Sequence, residues 1–423
     1  MTDRQDLSHS GCNPTTPTGG DDRSRLISTL HFLGPVTALE TVDCQPRPFG
    51  SQRLVVLLVG SGPYLSIYQM RSSSSPIDRN LIIRTKVFDY HRIHHITHSR
   101  PSNGSTTLTA SHLSWQVICF GGDRFSISTI KVIDLDGTSR DSDDELTGPR
   151  VLVQKFRSFK ATDSIVDALI INQDRNPATL IVLLTSHNQL VLYSYVDETQ
   201  TLSKVSLLSS ADRSLLSSGK ILLTDEGDHD CEDFIVRKLK LFSGSIPGSI
   251  LFWESELIYR RTNSGDRFEL IDSCSKPISL CGHKGPVHDI SVSRCGRRLA
   301  SASEDRSIRV WDLKYVSSNP IVLWGHLGRA WRLRWKDDNI LTSVAEDCRA
   351  LSWNLKSEIL SSKTSSIKPF SIYDGLHDGK SIWCLSHIPG TDILITGGAD
   401  GRVCYSLITL TDKNHQDLCI KES

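Results

Sequence analysis

From Gly282 the chain reads GHKGPVHDISVSRCGRRLASASEDRSIRVWDL, and from Gly325 it reads GHLGRAWRLRWKDDNILTSVAEDCRALSWNL. These are two copies of one unit. His283 precedes Asp305 by 22 residues and Asp305 precedes Trp311 by six; His326, Asp347 and Trp353 repeat the pattern with 21 and six. A third copy, GLHDGKSIWCLSHIPGTDILITGGADGRVCYSL, aligns His377 with Asp400 but has Ser406 where the Trp is expected. A unit this short cannot bury an apolar face alone, so copies must stack on one another.

The order within the unit sets what it folds into. A Gly-His turn leads into an alternating strand, an acidic tight turn reverses a second, and a third ends in Trp-Asp, which predicts the inner strands of one propeller blade. In such a blade His283, Ser303, Asp305 and Trp311 form a hydrogen-bonded chain, because each polar group is costly if buried unpaired. The rhythm continues upstream in YLSIYQM, RFSISTIKV, QLVLYSY and SILFWES, each after a turn signal, and with SIRVWDL, RALSWNL and RVCYSLI that makes seven third strands. Seven units between Leu33 and Ile408 leave roughly 54 residues each, above the 40–45 of a compact blade, so insertions are expected. The polar stretches Arg71–Asn80, Ser99–Ala110, Asp134–Pro149, Asp225–Asp233 and Arg260–Pro277 are the candidate surface loops.

The resulting expectation is an all-β, seven-bladed WD-repeat β-propeller with several long loop insertions. Residues 1–25 read as disordered, 26–410 as the propeller (clearest repeats 278–313, 321–355 and 370–408), and 411–423 as a tail. Leu26–Leu33 has strand character and is the candidate outer strand of the last blade, closing the ring and removing its open edges.

Composition excludes several alternatives. Lys plus Arg and Asp plus Glu number 48 each, so no bulk basic charge marks a nucleic-acid binder. No apolar run approaches the ~20 residues of a membrane helix, and the N-terminus has no apolar core of the kind a signal peptide carries. The eleven cysteines form no C-x-x-C and several sit in apolar runs, which predicts a reducing compartment, the cytosol or nucleus.

Enzyme motifs fail. GLHDGKS at Gly375 has three residues between its glycines where a phosphate loop needs four, and GSGPYLS at Gly60 has Leu65 where a dinucleotide loop needs its third glycine. His91, His94, His95 and His98 would share one face of a helix and could hold zinc, but a strand divides them between two faces. No catalytic, cofactor or metal residue is therefore expected.

Binding falls to the rim of the central opening. Strand alternation places Val287, Ala330 and Ile382 inward and nominates His288, Arg329, Trp331, Ser381 and Trp383, with Glu304 and Glu346 on the adjacent turns, as partner contacts. From Lys284 to Asp338 eleven basic residues face six acidic ones. Within that sector Arg297, Arg298, Arg306, Arg332 and Arg334 are candidate contacts to RNA phosphates.

The repeat at 282–313 resembles the WD repeat. Together with GHLGRAWRLRW, AEDCRALSWNLKSEIL, ILITGGADG, PVTALE at Pro35, VGSGPYLSIYQM at Val59, LTSHNQLVLYSY at Leu184 and LFSGSIPGSILFWE at Leu241, it resembles the N-terminal propeller of the WD repeat-containing protein 6 family. That resemblance implies a non-catalytic, cytoplasmic adaptor. It would bind an S-adenosylmethionine-dependent tRNA 2′-O-ribose methyltransferase and direct it to the wobble nucleotide of the anticodon loop; direct contact with tRNA would fall to the basic sector above. Family members are usually much longer. The competing expectation is a protein-only scaffold such as a ubiquitin-ligase substrate receptor, whose W-D-x-R motif here reads Trp311-Asp312-Leu313-Lys314, without the planar guanidinium fork.

Overall fold

The apolar runs LVVLLV (Leu54–Val59) and LIVLL (Leu180–Leu184) are buried throughout, so they must face a core on both sides. Alternation divides them. Leu54, Val56 and Leu58 enter one cluster while Val55, Leu57 and Val59 enter another, and Leu180, Val182 and Leu184 part from Ile181 and Leu183 in the same way. Strands of this kind belong to sheets sandwiched between neighbouring sheets.

A computed structural model describes residues 26–408 except 32–33, 45–52, 73–77, 104–112, 134–149, 173–177, 225–233, 263–264, 273–276, 316–318, 357–366 and 380. The expected disordered leader, the tail, and the acidic insertions at 134–149 and 225–233 lie outside the described residues.

Seven antiparallel sheets form the blades. Strand β1 (Leu26–His31) belongs to the last of them. Blade 1 is β2 (Val36–Asp43), β3 (Arg53–Ser61), β4 (Tyr64–Ser72) and β5 (Asp78–Lys86). In blade 2, β6 (His95–His98) and β7 (Ser102–Asn103) pair β8 (Leu113–Gly121), and β10 (Arg150–Val153) and β11 (Arg157–Lys160) pair β9 (Arg124–Ile133). Blade 3 is β12 (Ile165–Ile171), β13 (Ala178–Thr185), β14 (Gln189–Val196) and β15 (Thr201–Ser209). Blade 4 is β16 (Leu216–Thr224), β17 (Phe234–Ser245) and β18 (Ile250–Thr262), the last carrying both β19 (Gly265–Asp272) and β20 (Ile278–Leu280). Blade 5 is β21 (Val287–Val292), β22 (Arg298–Ser303), β23 (Ile308–Asp312) and β24 (Ile321–Leu323). Blade 6 is β25 (Ala330–Trp335), β26 (Ile340–Ala345), β27 (Ala350–Asn354) and β28 (Ser371–Tyr373). Blade 7 is β29 (Ile382–His387), β30 (Ile393–Gly398) and β31 (Arg402–Leu407), completed by β1, so chain start and chain end share one sheet.

The first strands touch in the cyclic order β2, β6, β12, β16, β21, β25, β29 and back to β2, which closes the ring. Each gap between blades holds its own hydrophobic cluster, from the one joining blades 1 and 2 around Trp115 to the one joining blades 7 and 1 around Tyr405. Three expected loops are corrected. Most of Arg260–Pro277 is hairpin, because Tyr259 packs on Phe268 at 5.1 Å and the pairing continues to Thr262 and Gly265. Strands also enter Arg71–Asn80 from both sides and Ser99–Ala110 at β7.

Polar side chains stitch adjacent blades. Asp167 of blade 3 accepts from the backbone N–H of Ile221 in blade 4 at 2.7 Å, and Asp289 of blade 5 accepts from that of Leu333 in blade 6 at 3.0 Å. Ser218 donates to the carbonyl of Val287 at 2.6 Å. Hydrogen bonds of this kind satisfy groups that the closed ring removes from water.

Candidate interaction surface

In each blade the loop leading into the first strand and the turn between second and third strands meet at the same end of the sheet; we call this the lead-in face. In blade 5, Trp311 Nε1 donates to Ser301 Oγ at 3.1 Å, Ser301 lies 2.8 Å from His283 Nε2, and His283 Nδ1 lies 3.0 Å from Asp305. The network assigns a neutral imidazole that accepts from Ser301 and donates to Asp305. Burial favours that neutral form and lowers the His283 pKa despite the carboxylate beside it. Burial works the other way on Asp305, yet hydrogen bonds from His283, Ser307 and the Lys284 backbone hold its carboxyl well below the usual range.

The hydroxyl in this chain is Ser301, not the expected Ser303. Ser303 Oγ instead donates to the Gly285 carbonyl at 3.1 Å and accepts from the Asp305 N–H at 3.2 Å, bracing the turn. Pairing of Ser301 opposite Arg309 puts its side chain on the Trp311 face of the sheet. In blade 6, Trp353, Ser343, His326 and Asp347 make the same chain. In blade 7, Thr396 bonds His377 Nε2 at 2.9 Å and Asp400 bonds Nδ1 at 3.0 Å, while Ser406 stands opposite Leu394, where a Trp stands opposite Leu299 in blade 5 and Leu341 in blade 6. Its hydroxyl is buried without a partner. All three histidines are buried; they hold loops and face no open site.

The rim residues divide. His288, Trp331 and Trp383 are half-buried, and each is the extra residue of a β-bulge at the start of its strand, between Val287 and Asp289, Ala330 and Arg332, and Ile382 and Cys384. A bulge leaves its residue outside the ladder and free to lean on the rim. The His288 and Trp331 rings lie 4.6 Å apart. Exposed Arg329 reaches Glu304 at 3.2 Å and Glu346 at 3.7 Å, bridging the turns of blades 5 and 6. Ser381 is buried and therefore no surface contact, a correction of the simple alternation.

The five candidate RNA arginines do not form one surface. Arg306 is exposed on the lead-in face and Arg297 on the opposite face, in the turn before β22. Arg298, beside Arg297, donates to the carbonyls of Asp338 at 3.2 Å and Leu355 at 2.5 Å, so it is an internal brace. Arg332 and Arg334 enter the central channel. Asp289 lies 3.6 Å from Arg332 and 3.1 Å from Arg334. Arg332 also crosses from blade 6 to blade 2, where it donates to His95 Nε2 at 2.9 Å. His95 stacks on Phe120 at 5.0 Å, and burial together with the Arg332 cation pushes its pKa well down, which keeps the acceptor nitrogen free of a proton. Sequence reading missed this crossing because residues 95 and 332 meet only when the ring closes.

The four clustered histidines do not converge: His91 goes to Asp123 at 3.9 Å, His95 to Arg332, and His98 to the Ser99 carbonyl at 2.8 Å, while His94 is exposed. Among the described residues no group of three or more metal-ligating side chains is brought together, and no helix is long and apolar enough to cross a membrane.

The fold and its buried polar chains define a seven-bladed WD-repeat β-propeller, a scaffold class that is typically non-catalytic. The WD domain, G-beta repeat family matches residues 274–312 and 371–405. The chain is similar to the tRNA (34-2'-O)-methyltransferase regulator WDR6 of Pongo abelii, 29% identical over 390 residues, covering 90% of this chain and 28% of the relative. The human protein of that name is 29% identical over 233 residues, 53% of this chain and 17% of the relative. Protein transport protein SEC13 of Coccidioides immitis is 34% identical over 132 residues, 30% of this chain and 42% of the relative. The chain thus spans less than a third of the length of the WDR6 relatives it matches.

Proposed function

We propose that this chain is a non-catalytic adaptor that binds an S-adenosylmethionine-dependent tRNA 2′-O-ribose methyltransferase in the cytosol and directs it to the wobble nucleotide of the anticodon loop. The observation that carries the reading is the similarity to a methyltransferase regulator along 90% of the chain, well beyond residues 274–312 and 371–405 that the WD repeat family matches. An adaptor of this kind supplies binding energy and orientation while the chemistry stays with the enzyme. The lead-in rim around Glu304, Arg329, Glu346, Trp331 and His288 is the proposed enzyme contact, since it joins aromatic and guanidinium groups on a rigid frame.

Affinity purification tests the reading directly. Recovery of a tRNA methyltransferase, and loss of wobble-ribose methylation on deletion of the gene, are the expected results. Recovery of ubiquitin-ligase subunits with unchanged methylation would replace the adaptor by a substrate receptor. The Lys314 ammonium, 5.3 Å from the centroid of the Tyr315 ring, stands where that class uses Arg.

A further inference from the structure

On the lead-in face of blade 1 lies a cleft of about 610 Å³, bounded by the β3–β4 turn, the loop before β2 and the loop running on to blade 2. Arg84 and Arg92 project into it. Both are exposed, and the acids nearby are engaged elsewhere: Asp89 with Lys86 at 3.6 Å, and Asp123 with His91, Arg124 and Lys160. The Arg84 guanidinium stands 5.0 Å from the centroid of the Tyr64 ring, which orients it as a flat plate.

The walls are fixed in advance. Ile93 and Val87 donate their N–H groups to the carbonyls of Gly62 and Pro63, at 2.8 and 2.9 Å, and the side chains of Val87, Phe88 and Ile93 are buried. Gly121 accommodates the Arg92 carbonyl in the space where a Cβ would stand. Between these anchors the Tyr90 ring is 95% exposed, two residues before Arg92 on the same loop.

The hydrogen-bonding character of the cleft selects its ligand. The carbonyls of Gly62 and Pro63 are occupied as above, and that of Gly34 accepts from Ser61 Oγ at 3.1 Å. The charged groups the cleft presents are two guanidiniums, donors alone, beside the Tyr64 phenol and flat proline edges from Pro35 and Pro63. A bound peptide brings its own N–H groups and needs acceptors for them. A phosphodiester backbone brings acceptor oxygens alone, and its unstacked bases find partners in a guanidinium plane and an exposed tyrosine. We propose that this cleft binds the sugar-phosphate backbone of a single-stranded RNA segment through Arg84 and Arg92, with an adjoining base on Tyr90. The choice of RNA among polyanions rests partly on the adaptor reading; the anion site rests on the cleft.

The test is a titration of the purified full chain with a fluorescein-labelled single-stranded RNA, followed by anisotropy across a salt series. Neutralising two phosphate contacts in R84A/R92A weakens binding about tenfold or more and lowers the slope of log affinity against log salt by about 1.4. R84K/R92K recovers most of the slope, R267A on the outer rim of blade 4 leaves affinity unchanged, and melting of all three like wild type shows them folded. RNA affinity unchanged in R84A/R92A, or no RNA binding by the wild-type chain at low salt, overturns the proposal. So does binding of a phosphoserine peptide in preference to RNA with the same arginine dependence, which would reassign the cleft to a protein partner. Recovery of methyltransferase by R84A/R92A at the wild-type level keeps the adaptor reading separate, since that reading is tested by what the wild-type chain recovers and by methylation after deletion.

Discussion

Blades 5 to 7 and blades 1 to 4 solve one problem in two ways. Each blade must tie the loop leading into its first strand to the turn between its second and third. In blades 5 to 7 the tie is a buried His–Asp contact, at 3.0, 3.2 and 3.0 Å. Blade 1 uses Ser61 on the Gly34 carbonyl, and blade 2 keeps a looser, exposed pair, His91 and Asp123, at 3.9 Å. Blade 3 exchanges the roles, with Asp163 in the lead-in loop accepting from Ser186 at 3.1 Å and His187 at 2.8 Å in the turn. In blade 4 the Ile246 N–H donates to the Leu215 carbonyl at 3.0 Å.

Strand length compensates. The second and third strands run to 12 and 13 residues in blade 4, against 6 and 5 in blade 5, and longer strands bury more apolar side chains against the neighbouring blades. What the fold requires is the loop–turn tie and a filled inter-blade gap; the WD signature is one way to supply the first.

The comparison can be broken most directly at the carboxylates. Asp305→Ala strands His283 and the N–H groups of Lys284 and Ser307, and is expected to cost about 3 kcal/mol in urea unfolding. Asp123→Ala in blade 2 removes only exposed pairs and should cost less than ~0.5 kcal/mol. Equal losses would show that the buried tie has no special weight.

The two serines of blade 5 sharpen the assignment. Ser301→Ala leaves Trp311 Nε1 and His283 Nε2 without partners and is expected to cost about 2 kcal/mol, against about 1 for Ser303→Ala, which frees one carbonyl and one turn N–H. The reverse order of urea midpoints would return the chain to Ser303.

Acid should separate the two kinds of group. His283 and His95 have lowered pKa values, and burial pushes His387 down to about 4. The unfolded chain takes up these protons near pH ~6.5 and the folded chain does not. Stability therefore falls as pH drops through ~6.5 toward 4. Asp305, Asp347 and Asp400 are depressed despite burial, so their contribution is present above ~3.9 and is lost only as pH falls below it. Urea midpoints measured from neutral pH downward should fall in these two stages, and His387→Asn should flatten the first. A flat profile above pH ~4 would contradict the buried neutral histidines.

The smallest effect is expected in blade 3. The His187 side chain is 66% exposed, so His187→Ala should change stability by less than ~0.5 kcal/mol. A loss like that of Asp305→Ala would mean that the exchanged tie equals the original.

Much of this was legible in the chain. Repeat spacing marks His283, Asp305 and Trp311 as a linked set, third-strand candidates recur seven times, and the strand character of Leu26–Leu33 anticipates β1 beside β31. Continuous apolar runs such as LVVLLV carry both faces of a sandwiched strand. The arginines were not legible in the same way. Charge counted along Lys284–Asp338 says nothing of direction, and the ring sends Arg306 to one face, Arg297 to the other, and Arg332 and Arg334 into the channel.

The residue order by itself determined a closed ring of seven small sheets, because side-chain alternation and the spacing of turns are properties of neighbours in the chain. Only the tertiary structure decided which hydroxyl completes the polar chain, which rim residues lean outward and which cations are spent inside. The reason lies in register: a single bulge after Ala330 resets the alternation, so Leu333 packs in the core while Trp331 and Arg332 both leave it. Closure then brings His95 within reach of Arg332, across a distance in sequence that no local pattern spans.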